Sequence, residues 1–167
     1  MVNRSIIASL VKLLDRDHDT LNYATLSFLW QLSLTKENRE QIVAFGFFEQ
    51  SKAFLSQRRK SDCANGADVD IPLLNLLYNL TSEEHFRADM VNTGVLAHIA
   101  SKLESTSIRQ LVLRLLYQLT LDDRGRSLLR FHSSCISTLM TIAASTPQDL
   151  EIDRSVFTSR PTPESLS

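Results

Sequence analysis

The chain has 167 residues, enough for one domain and too few for two of ordinary size. Its 4 Gly and 4 Pro are about half the usual share, too few turn formers for a β-sandwich or a doubly wound α/β domain. With 18 Lys+Arg against 19 Asp+Glu there is no electrostatic reason to bind nucleic acid or an anionic membrane, and 43% hydrophobic residues exclude wholesale disorder.

In chain order, Ile6, Ile7, Leu10, Leu13 and Leu14 fall at helical spacing and predict a helix over 5–14. Asp15, Asp17 and Asp19 alternate through the turn that follows. Neither a Gly nor a closing Glu stands at calcium-loop spacing, so they read as a helix-capping acidic turn. A long helix is expected from about 20 to 34, and a short one from 36 to 45. Gly46 stands where one helix must stop and the next start sharply, which calls for a left-handed corner, and a helix over 47–56 follows it. Residues 57–69 (QRRKSDCANGADV) have no apolar period and read as an inserted loop, with Arg58, Arg59 and Lys60 as solvated charge.

Asp70 is placed to cap a second long helix over 71–81, with Pro72 in its first turn, where a missing N–H costs little. Thr81 and Glu84 match a capping box for a helix over 84–93. Gly94 then repeats the corner of Gly46, and a helix over 95–103 follows. The last set is a long helix over 107–121, a short one over 123–131, and another over 134–144. Pro147, Pro161 and Pro163 fall in the final stretch, so 147–167 is expected to hold a partial helix and a flexible tail.

The chain repeats itself. Phe28-Leu29-Trp30-Gln31-Leu32-Ser33, Leu76-Leu77-Tyr78-Asn79-Leu80-Thr81 and Leu115-Leu116-Tyr117-Gln118-Leu119-Thr120 share one order of apolar, Leu, aromatic, amide, Leu and hydroxyl. Downstream, at matching offsets, stand Arg39, Arg87 and Arg126, then Ile42, Met90 and Leu129, then Gly46, Gly94 and Ser133. The intervals, 48 and 39 residues, bracket the roughly 40–47 of armadillo and HEAT units, and the inserted loop accounts for the longer one. The expected architecture is all-α: a right-handed α-solenoid of about three armadillo-type repeats over 1–146. Leu32, Leu80 and Leu119 form stripes that only neighbouring units can bury, and Trp30, Tyr78 and Tyr117 read as filling the seam between units. The recurring arginines read as bonding helix ends or acids of the adjacent unit rather than as a row of anion contacts.

The finer pattern is carried by Leu13-Leu14-Asp15-Arg16-Asp17, Leu26-Ser27-Phe28-Leu29, Glu37-Asn38, the run Leu73 to Thr81, and Leu119-Thr120-Leu121-Asp122-Asp123-Arg124. In order and spacing these resemble the armadillo region of the kinesin-associated protein family, the non-motor subunit of heterotrimeric kinesin-II. The resemblance covers about residues 6–146. It implies a non-enzymatic adaptor that associates with the tails of the paired motor subunits and with cargo adaptors, including ciliary transport assemblies. The implied setting is cytoplasmic and cytoskeleton-associated, with a cilium or flagellum as one place of work. Family chains are several times longer, so a fragment or a shortened relative is expected.

Candidate partner-binding residues are the exposed polar positions of the three long helices: the amides Gln31, Asn79 and Gln118, and, one turn earlier, Ser27, Asn75 and Arg114. A regularly spaced amide both donates to and accepts from the backbone of an extended peptide, one rung per repeat. Nuclear-import armadillo proteins place Trp one turn before that amide; Ser27, Asn75 and Arg114 stand there instead, so a nuclear-signal groove is not expected. The other readings are a generic peptide-binding scaffold and a structural piece that self-associates through its solenoid ends.

Catalysis and cofactors find no sequence support. His18, His85, His98 and His132 share no ligand spacing, Cys63 and Cys135 make no zinc set, and neither a phosphate loop nor a nucleophile elbow is present. The cysteines read as reduced thiols, and without a secretory start the sequons at Asn3 and Asn79 read as chance matches. No apolar run is long enough to span a bilayer, so membrane insertion is not expected.

Overall fold

The structure, a computed structural model, describes residues 4–16, 18–56 and 69–144. Among these, every regular element is helical: α1 (Arg4–Leu13), α2 (Asp19–Leu32), α3 (Lys36–Ala44), α4 (Phe47–Ser56), α5 (Asp70–Leu80), α6 (Glu84–Thr93), α7 (Val95–Ser101), α8 (Arg109–Leu119), α9 (Asp123–Phe131) and α10 (Ser133–Ala144). A 3₁₀ turn, Lys102–Glu104, tightens the end of α7. The loop expected at 57–69 lies outside the described residues except for Val69, which is buried, and the expected tail at 147–167 lies outside them entirely.

Like packs against like along the chain. The long helices α2, α5 and α8 stack in sequence order, α4, α7 and α10 form a second layer, and α6 and α9 meet in a third. That recurrence is the architecture of an α-solenoid. One continuous core runs through it, from Ile7 and Val11 through Leu26, Leu29, Ile42 and Phe47 to Leu73, Leu77, Leu80, Met90, Ile99, Leu115 and Leu119. Each long helix contributes from two faces, which is why α5 reads as a nearly continuous leucine run rather than one stripe.

The repeated motif is a device for ending the long helices. The last carbonyls of any helix lack intrahelical donors and need other partners. The hydroxyl of Ser33 donates to the Trp30 carbonyl at 2.6 Å, Thr81 to Tyr78 at 2.6 Å, and Thr120 to Tyr117 at 2.7 Å. Six residues beyond each hydroxyl, an arginine Nη1 reaches back to that residue's own carbonyl: Arg39 to Ser33 (3.0 Å), Arg87 to Thr81 (2.7 Å) and Arg126 to Thr120 (2.7 Å). The arginine row therefore serves helix ends, as the sequence reading favoured.

Three expected caps are corrected. Thr81 does not form a capping box with Glu84: α6 is entered through Glu83 with no side-chain cap bond, because the Thr81 hydroxyl is buried and turned back on α5. Asp70 does not cap α5 either. It stands inside the first turn behind Val69, and its carboxylate takes Lys102 Nζ at 2.7 Å. At α2 the cap is His18, whose Nδ1 accepts from the Leu21 N–H at 3.2 Å, rather than an aspartate of the acidic turn.

The corners separate glycine from its substitute. Gly46 and Gly94 have φ of +83° and +81°, the left-handed geometry expected of them. In the third copy the corner passes through His132 in an extended conformation, and its Nδ1 accepts from the Cys135 N–H at 3.3 Å, so Ser133 needs no left-handed backbone. Gly125 answers a different demand: a Cβ there would lie 2.2 Å from the Leu119 carbonyl oxygen. Asn38 occupies the matching place in the first unit, where its Nδ2 donates to the Leu32 carbonyl at 3.0 Å.

Candidate functional site

The stacked ends of α2, α5 and α8 form a groove of about 240 Å³ lined by Ser33, Leu34, Arg39, Tyr78, Asn79, Thr81, Ser82 and Gln118. Of the six residues named from sequence, Asn79 and Gln118 line it directly. Arg114 joins them through Tyr78: its guanidinium carbon lies 4.9 Å from the centre of the Tyr78 ring. A guanidinium over an aromatic face is attracted by the ring's quadrupole, which holds this cation beside the groove. This stack was not read from the sequence, although Arg114 stands one turn before the amide of its unit and Tyr78 one residue before that of the previous unit.

The amides are not equivalent. Asn79 Nδ2 donates to Ser33 Oγ at 2.8 Å and, more weakly, to the Trp30 carbonyl at 3.5 Å, so it ties α5 to the end of α2. Asn75 Nδ2 donates to the Ile71 carbonyl within its own helix at 2.9 Å. Gln31 is exposed and Ser27 half-buried on α2, both outside the groove lining. Gln118 is half-buried at the groove and Arg114 exposed beside it. The six positions thus share the long-helix layer, with Asn79, Arg114 and Gln118 gathered at one place.

The aromatic series follows the stack. Trp30 and Tyr78 are half-buried against the core, while Tyr117 is about half exposed. The electrostatics of the groove centre on Arg39, whose Nη2 also takes Glu83 Oε1 at 2.8 Å. That hydrogen bond holds the Glu83 carboxyl below its ordinary value against an opposing burial effect, with Lys36 helping through its charge. Arg39 is therefore a neutralised wall of the groove, and Arg114 supplies its outward positive charge.

Among the described residues no group of three or more His, Cys, Asp or Glu is arranged to hold a metal ion. The histidines have local roles: His18 and His132 cap helices, and the His85 ring packs 4.1 Å from that of Phe86. Cys135 is buried, which pushes its thiol pKa up and keeps it unreactive. No helix among the described residues is long and apolar enough to cross a membrane.

Stacked helical layers with a groove at the ends of the long helices define an α-solenoid. The family described as kinesin-associated protein (KAP) matches residues 1–158, nearly the whole chain, and the chain belongs to that family. The family is a non-enzymatic accessory to kinesin, so an adaptor-type, kinesin-associated role follows for this chain. A comparison with curated proteins gives no match.

Proposed function

We propose that the chain is an adaptor segment that captures an extended or helical stretch of a kinesin-II motor tail, or of a cargo adaptor, along the α2–α5–α8 layer. The observation that carries this reading is the groove where Asn79, Gln118 and the Arg114–Tyr78 stack converge on the ends of three packed helices. Ser27, Gln31 and Asn75 extend the contact along the same layer, so affinity accumulates over rungs rather than resting on one pocket. The family relation supports motor-tail partners and a cytoplasmic, cytoskeleton-linked setting, and work in ciliary transport fits the same role.

The test replaces Gln31, Asn75, Arg114 and Gln118 by alanine together, leaving Asn79 in place because it holds α5 to α2. Purified motor-tail segments are then titrated against the variant and the parent chain. Loss of binding with an unchanged unfolding midpoint supports the reading. Unchanged binding clears this surface of the role.

A further inference from the structure

The internal repeat supplies a control for each surface position. In register with one another stand Gln41, Asp89 and Leu128; Ala44, Asn92 and Phe131; Glu49, Ala97 and Ile136; and Ala53, Ser101 and Met140. In the middle unit, flanked by packed neighbours on both sides, Asp89, Asn92, Ala97 and Ser101 are all exposed. Asp89, Ala97 and Ser101 thus stay exposed although a further unit follows, while Asn92, exposed as well, also accepts a hydrogen bond at its Oδ1 from Arg124 of that unit. The first two units fill these positions with polar or small side chains. The third fills all four with large apolar ones, and they remain exposed: Phe131 at 83%, Met140 at 70%, Leu128 at 44% and Ile136 at 39%.

Leu128 and Phe131 share one face of α9, Ile136 and Met140 share one face of α10, and the two helices pack together across the single residue His132. Large apolar side chains grouped on a surface mark an interaction site. From residue 123 to 144 the charges are one acid, Asp123, paired to Arg126, and two exposed arginines, Arg124, whose Nη1 donates to Asn92 Oδ1, and Arg130. Arg124 stands one turn before Leu128 on the same face, and Arg130 flanks Phe131.

We propose that the outward face of α9 and α10 docks an amphipathic helix of a partner protein, one that lays apolar side chains between Leu128, Phe131, Ile136 and Met140 and carries carboxylates along the edge nearest Arg124 and Arg130. The partner helix completes a three-helix packing with α9 and α10. Charge favours this occupant over a second copy of the chain, since two copies meeting here would set arginines against arginines. It favours a protein over a lipid surface, because α10 carries no charge and its polar positions are Ser and Thr, whereas membrane-surface helices line their polar face with Lys and Arg. This surface is distinct from the long-helix groove.

The test uses the full chain and a fluorescent helical peptide of about 18 residues, with leucines at positions i, i+3, i+4 and i+7 flanked by glutamates, beside a twin with lysines for the glutamates. The expected result is binding of the glutamate peptide, weakened at least about tenfold by Phe131→Ser with Met140→Ser and about threefold by Arg130→Glu. Because these side chains are exposed, the unfolding midpoint stays that of the parent, and Asn75→Ala with Gln118→Ala leaves this binding unchanged. Three results overturn the proposal: equal binding of the lysine peptide, equal binding by the double variant, or no binding of the glutamate peptide. Phe131-dependent sedimentation with phosphatidylserine vesicles replaces it with a membrane surface. A dimer in sedimentation equilibrium that the double variant abolishes replaces it with self-association.

Discussion

Arg39 and Glu83 clasp two successive units of the stack. One guanidinium nitrogen lies 2.8 Å from Glu83 Oε1, at the entry to α6, while the other nitrogen lies 3.0 Å from the Ser33 carbonyl, at the end of α2. A single side chain on α3 thus closes its own unit's long helix and grips the next unit. The matching arginines keep only the first of these tasks within the bonds described: Arg87 holds Thr81, and Arg126 holds Thr120.

The clasp makes stability depend on acid. The folded-state pKa of Glu83 lies below the ordinary value of 4.5, chiefly through the Arg39 hydrogen bond. A carboxyl of lowered pKa contributes stability that is present above its unfolded-state value and lost as pH falls through its folded-state value. Urea titrations from pH 7 to pH 3 are expected to show Glu83→Gln less stable than the parent at neutral pH, with the difference shrinking below about pH 4.5. A difference that stays constant with pH contradicts the clasp.

The glycines order themselves by mechanism. Gly125→Ala forces a Cβ against the backbone carbonyl of Leu119, which a rigid helix end cannot yield, and is expected to cost about 3 kcal/mol. Gly46→Ala and Gly94→Ala meet open space and cost only their left-handed backbone, about 1–2 kcal/mol each. Equilibrium unfolding in urea checks the order, which the positive φ values alone would reverse.

The two asparagines of α5 separate in the same way. Asn79→Ala removes a bond between helices and leaves Ser33 Oγ without that donor, a cost of about 1 kcal/mol. Asn75→Ala removes a bond within one helix near the surface, and stays within about 0.5 kcal/mol of the parent. Unfolding midpoints at constant slope measure both.

Cys135 offers a probe of opening. It is 1% exposed, and burial raises its thiol pKa, so the nucleophilic thiolate is scarce in the folded state. In a Cys63→Ser chain, labelling by an aromatic disulfide reagent at pH 8 is expected to proceed at the rate set by unfolding, and to accelerate with urea in step with it. Immediate labelling of the folded chain contradicts the burial.

Much of the fold is legible in the sequence for physical reasons. Apolar spacing places the helices to within a few residues, and the glycines at 46 and 94 mark corners because only a left-handed residue turns the chain there. What escaped depends on where a short polar side chain turns. Thr81 and Glu84 have the spacing of a capping box, yet the hydroxyl also lies within reach of the Tyr78 carbonyl, and the unpaired end of α5 claims it. Gly125 lies outside any turn, so its close approach to Leu119 shows only once α9 is packed. The groove was half legible: its amides follow the repeat, while the Arg114–Tyr78 stack needs the offset between α5 and α8 that packing alone supplies.

The central claim, partner capture on the α2–α5–α8 layer, is tested most directly by hydrogen exchange of the full chain with and without kinesin-II motor-tail segments. The account predicts new protection in α5 and α8 around Tyr78, Asn79, Arg114 and Gln118, extending to α2. Saturated binding with no change in those helices, or with protection only elsewhere, contradicts it.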